Sequence, residues 1–187
     1  MTLSPQDLST LRSRLGKRNR RVGGGYEVQV AKKIAAHCGF ADWNEAFVKP
    51  KYGMSRHDIA EDGTKIRVAG GQRNGDLTPI KQMAVLWYSN DLLGPIEAKH
   101  CEDWTLAQLF KAPEKSVLYR YWAESNINCH SDRSIVFFTK SRSLDFVLHR
   151  TYLGNPRSAY LSFEASGVHL VVQTLPSFLE MVFPQSS

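Results

Sequence analysis

No apolar stretch in the sequence approaches the roughly 20 residues that a membrane-spanning helix needs, and the first residues lack the basic-then-apolar order of a secretory leader. A soluble, cytoplasmic protein without a membrane partner is the expectation. Cysteine is scarce. Cys38, Cys101 and Cys129 are an odd number without metal-ligand spacing, which favours free thiols in a reducing compartment over disulfides or a zinc site. Internal repeats and low-complexity tracts are also missing, which leaves an ordinary globular chain. With 187 residues and 42% hydrophobic content, it is long enough to bury a core in one domain with room for a small appendage.

The net charge of +6 is concentrated at one end. Residues 1–33 hold eight basic side chains (Arg12, Arg14, Lys17, Arg18, Arg20, Arg21, Lys32, Lys33) against Asp7 and Glu27, and the rest of the chain is balanced at sixteen of each sign. A basic arm from Arg12 to Arg21, followed by Gly23-Gly24-Gly25, fits phosphate contacts by a segment that orders on binding. A merely solvated tail fits the composition equally well.

The chemistry-bearing stretch is Leu92-Leu93-Gly94-Pro95-Ile96-Glu97-Ala98-Lys99-His100-Cys101. As an extended strand it puts Glu97 and Lys99 on one face and turns Ile96 and Ala98 into apolar packing on the other. The apolar feed of Leu92, Leu93 and Ile96 suggests a buried central strand, where charges are costly and usually serve function. Asp76 follows the turn dipeptide Asn74-Gly75 and precedes Leu77, so a turn or strand start delivers a carboxylate to the same end of the sheet. Two converging carboxylates can hold a hard divalent cation, and an adjacent ammonium can orient water for attack on a phosphodiester.

A helix is expected over Tyr26–Cys38, stopped by Gly39. Residues 27, 31, 34, 35 and 38 fall on one arc, so Glu27 interrupts the stripe of Ala31, Ile34, Ala35 and Cys38. It either complements the helix dipole or stands as a third acid near a metal. From Trp43 to Gly71 the pattern is weaker. Phe47-Val48 reads as a short apolar segment, Ser55-Arg56-His57-Asp58 as a polar loop, and Lys65–Ala69 as an edge-type strand that brings Lys65, Arg67 and Arg73 close to Asp76. His57-Asp58 is surface decoration rather than an acid–base pair. Met83–Tyr88 reads as a strand, although periodicity does not separate it from a short buried helix.

Further on, Trp104–Phe110 and Ser116–Trp122 read as helix split by Pro113, with Val117, Leu118, Tyr121 and Trp122 as a core stripe. Ile135–Thr139 and Asp145–Leu148 read as strands, Val168–Val172 and a helix opening at Pro176 as packing material, and Cys129-His130 as a loop pair. Such a succession implies α/β architecture, a central mixed β-sheet flanked by helices.

Taken in order, the basic arm, the Gly-flanked helix with Glu27, Arg67-Val68-Ala69-Gly70-Gly71, Asn74-Gly75-Asp76-Leu77, Glu97-Ala98-Lys99, the Trp104–Phe110 helix and the Ile135–Lys140 strand resemble the PD-(D/E)xK nucleases. Over residues 17–150 the chain is most similar to the phage and archaeal Holliday junction resolvases. The resemblance implies a restriction-endonuclease-like core over 26–150, a flexible basic arm over 1–25, and a C-terminal strand and helix extension over 151–187. It further implies a homodimer that cleaves branched or four-way-junction DNA with Mg2+, for which Mn2+ can substitute, in the cytoplasm of a bacterial, archaeal or phage-infected cell. Glu27, Asp76 and Glu97 would serve the metal, and Lys99 the attacking water. Arg14, Lys17, Arg18, Arg20, Arg21, Arg67 and Arg73 would contact DNA. Proline is missing before Asp76, and the spacer Thr78–Gly94 is expanded. A type II restriction-like endonuclease and a non-catalytic DNA-binding protein on the same scaffold are the alternatives. The second is weakened by the intact Glu-x-Lys, a costly cluster that a decayed site would be expected to lose.

Overall fold

A computed structural model of the chain describes residues 24–49, 57–59, 65–67, 75–90, 93–140, 143–150 and 160–185. The first helix, α1, takes in residues 24–37 of the described chain, so Gly24 and Gly25 are helical rather than preceding the helix. Its buried stripe is Tyr26, Glu27, Val30, Ala31, Ile34 and Ala35, as the helical spacing requires, and Gly39 at φ +81° ends it. A one-turn helix α2 (Trp43–Ala46), capped by the Asp42 side chain, leads into β1 (Phe47–Val48).

β2 (His57–Ile59) and β3 (Lys65–Arg67) form an antiparallel pair, so His57-Asp58 belongs to a strand and not to a polar loop. The short segment misled because three residues carry no measurable period. β4 (Thr78–Pro79) pairs with β1. Met83–Tyr88, expected as a strand, is α3 (Lys81–Tyr88). Met83 and Trp87, one turn apart, are fully buried, whereas Val85 and Tyr88 are exposed. A run of apolar residues concealed the period, because half of them face solvent.

Next come β5 (Ile96–His100), α4 (Leu106–Lys111), a 3-10 turn at Pro113–Lys115 and α5 (Val117–Cys129). Thr105 and Gln108 form a capping box on α4; Ser116 caps α5, and His130 closes it in the left-handed conformation. Cys129-His130 is therefore a helix terminus. β6 (Ile135–Thr139), β7 (Phe146–Arg150), β8 (Tyr160–Ala165) and β9 (Val168–Thr174) precede the last helix, α6 (Leu175–Val182).

The result is α/β with a five-stranded mixed sheet in the order β5-β6-β7-β9-β8, parallel only between β5 and β6. The α4–α5 segment makes that parallel crossover. All five residues of β6 are buried, as expected of a strand covered on both faces. Ile96, Ala98, Ile135, Phe137 and Val147 meet α1, α3 and α6 on one face. Val136, Phe138, Leu148, Leu170 and Val172 meet Trp104, Leu109, Leu118 and Trp122 on the other. The residues after 150 contribute two of the five strands.

β5 is an edge of this sheet rather than its centre, contrary to the expectation from its apolar feed. Its outer side is covered by the segment around Asp76, which bridges to Ile96 through Gly75 and Leu77. Among the described residues no helix is long and apolar enough to cross a membrane.

Candidate active site

The site starts from the covered edge of β5. Gly75, at φ +78°, lets the chain turn against Ile96, and the Asp76 N–H donates to the Ile96 carbonyl at 2.6 Å. Leu77 is then fully buried, which fixes the opposite, carboxylate-bearing direction of Asp76. The Asp76 side chain, 3% exposed, accepts from the Ala98 N–H at 2.9 Å and from Lys99 Nζ at 3.0 Å. A carboxylate thus occupies the backbone donor that an edge strand leaves free.

Glu97 and Lys99 share one face of β5, as the alternation requires, while Ile96 and Ala98 are buried on the other. Their neighbours across the parallel register are Val136 and Phe138, so both point toward the α4–α5 side. Lys99 Nζ stands 2.5 Å from Glu97 Oε2 while it also holds Asp76. One ammonium therefore bridges two carboxylates. Burial, the Asp76 charge and a hydrogen bond with Asp76 push the Glu97 carboxyl up to about 7, against the opposing pull of Lys99. Burial on its own would lower Lys99, but the two carboxylates outweigh it and hold the amine well above its usual value.

Two carboxylates so close that Asp76 raises the proton affinity of Glu97 are an excess of negative oxygen that a divalent cation relieves. Mg2+ commonly takes only one or two protein carboxylates and completes its shell with water and phosphate oxygen, so Asp76 and Glu97 fit it. Among the described residues no group of three or more His, Cys, Asp or Glu side chains is arranged to hold a metal. Glu27 is buried, as its register predicts, and its carboxylate pairs with Lys49 Nζ at 2.5 Å. Lys49 also donates to the Gly24 carbonyl at 3.1 Å, so this acid is tied to the start of its own helix.

Arg67 lies in β3, and its side chain is outside the described residues; so are Arg14, Lys17, Arg18, Arg20, Arg21 and Arg73. The proximity of Lys65, Arg67 and Arg73 to Asp76 falls there too. Lys49, Cys101 and Tyr121 were not singled out as site residues. Lys49 sits in an unpatterned Lys-Pro-Lys stretch, but Cys101 continues the alternation of Glu97 and Lys99 and could have been found that way. The Tyr121 hydroxyl donates to Cys101 Sγ at 3.7 Å.

A groove of about 810 Å³ between His37 and Cys38, the end of α3 at Leu86 and Ser89, and Val182–Gln185 contains none of these residues. No protein-family model matches the chain, no curated protein is significantly similar to it, and no solved structure significantly matches its fold.

Proposed function

We propose that this chain is a Mg2+-dependent endodeoxyribonuclease with a restriction-endonuclease-like core, hydrolysing phosphodiester bonds in branched DNA as a homodimer. The observation that carries this is the bridging of Asp76 and Glu97 by Lys99 at a sheet edge that the chain at Gly75 approaches closely. The PD-(D/E)xK resemblance supports the substrate and the dimer, and the surplus of basic residues before residue 34 supports a polyanionic partner.

Asp76 and Glu97 would hold the metal, which when bound neutralises phosphoryl charge and acidifies water. Asp76 is preorganised for this by the Ala98 N–H, which fixes its carboxylate without removing its charge. Lys99, kept protonated by its two neighbours, supplies a fixed positive charge that orients the attacking water and stabilises negative charge developing on phosphorus-bound oxygen. Glu27, held by Lys49, would act at a distance from the metal, through the placement of α1.

A second reading is a DNA-binding protein without catalysis on the same scaffold. It is favoured by Lys99 already pairing with both acids, with no third acidic ligand joining them among the described residues. Incubation with Mg2+ on four-way junction, flap, linear duplex and single-stranded DNA separates the readings. Preferential cleavage of the junction supports the proposal, and cleavage of linear duplex at fixed sequences indicates a restriction-type enzyme. Binding without cleavage of any substrate indicates the scaffold alone.

A further inference from the structure

α5 brings two adjacent side chains to the rim of the site. The Tyr121 ring centre lies 5.9 Å from Lys99 Nζ and 5.8 Å from Arg120 Cζ, both within cation–π reach. The Tyr121 hydroxyl is anchored on Cys101 Sγ, so the ring is fixed both to the helix that carries it and to the residue that follows β5. Among the described residues Arg120 has one further partner close by, Glu124 one turn along at 3.9 Å. With the two side chains 62% and 58% exposed, that pair is screened by water and binds the guanidinium weakly. An exposed, permanently charged fork therefore lies within cation–π reach of an aromatic ring that is also within reach of the site lysine.

We infer that Arg120 is a substrate phosphate contact of this site, and that Tyr121 is the positioning residue that seats Arg120 and Lys99 against one ring. The inference rests on the phosphodiesterase reading above and adds a substrate-holding cation to it. Lys99 already bridges two carboxylates and is assigned to the attacking water, which leaves the holding of a substrate phosphate to a second cation. Arg120 has no such commitment, and its planar N–H fork matches two oxygens of a phosphate. Ordering by the ring removes part of the entropy that a free arginine would lose on binding.

The test is equilibrium binding of a four-way junction and a linear duplex by fluorescence anisotropy, without divalent metal, between about 50 and about 200 mM salt. Arg120→Gln should flatten the slope of log affinity against log salt by about 0.9 and weaken binding about tenfold at the low end. Arg120→Lys should restore the slope. Tyr121→Leu should weaken binding, and combining it with Arg120→Gln should cost less than the product of the two losses. An unchanged slope in Arg120→Gln overturns the inference, as do losses that multiply in the double variant or a wild-type protein that binds neither DNA. Arg120 is exposed, so its variants fold. Cleavage by wild type with an unchanged Arg120→Gln slope would reject the contact and keep the hydrolase, whereas the predicted slope change without Mg2+-dependent cleavage would do the reverse.

Discussion

Gly75 lies so close to Ile96 that a Cβ added to it would stand 2.0 Å from the Ile96 carbonyl oxygen. No real side chain tolerates that contact, and the backbone at φ +78° is unfavourable for any residue with a Cβ. Gly75→Ala should therefore lose about 2–4 kcal/mol of stability and displace Asp76 from the Ala98 N–H. Urea unfolding checks the first part. A variant within about 0.5 kcal/mol of wild type would mean that the edge segment can lift away from β5 at no cost.

Asp76→Asn keeps an acceptor for the Ala98 N–H but removes the charge that serves a cation and Lys99. Cleavage should fall at least about 10²-fold while junction binding is nearly intact. Lys99→Met should behave alike in rate. Single-turnover rates within a few-fold of wild type at saturating Mg2+, for both variants, would place the chemistry elsewhere.

Glu27 and Lys49 separate structural from chemical roles. Lys49→Met leaves a buried carboxylate without its cation and should cost about 2 kcal/mol of stability, measured by thermal or urea unfolding. Glu27→Gln should lower the cleavage rate modestly with little change in Mg2+ dependence. A collapse in rate that excess Mn2+ partly rescues would instead assign Glu27 to the metal.

His149 gives the fold a dependence on pH. It is buried beside Phe178, donates through Nδ1 to the Arg150 carbonyl and accepts at Nε2 from Gln173, an arrangement that needs the neutral ring. Burial lowers it from 6.5 to about 4, so between those values the unfolded chain binds a proton that the folded chain refuses. Stability is complete above pH 6.5 and declines as pH falls, by about 2 kcal/mol at pH 5 and about 3 kcal/mol near pH 4. Urea unfolding at pH 7.5 and pH 4.5 should show a smaller acid loss for His149→Phe than for wild type, and equal losses would clear His149 of this role.

The sequence by itself determined the elements whose period is long or whose alternation is strict. The α1 stripe, the alternation of Glu97 and Lys99 against Ile96 and Ala98, and the buried strand Ile135–Thr139 all follow from spacing, because local geometry decides which side chains share a face. The same alternation placed Glu97 beside Lys99 before any packing was known. Where period was short or masked, as in His57–Ile59 and Lys81–Tyr88, spacing had nothing to read, and burial against the rest of the chain decided.

Tertiary structure alone decided the distances that make a site. That Asp76 reaches across 21 intervening residues to the Ala98 N–H and to Lys99 depends on the close passage of Gly75 over Ile96. That β5 is an edge depends on strand order, which no local pattern encodes. Glu27 faces inward as its spacing required, but its partner is Lys49, because the end of β1 is brought to the first turn of α1. Spacing fixes a direction for each side chain, and only the packing of distant segments determines what that direction meets.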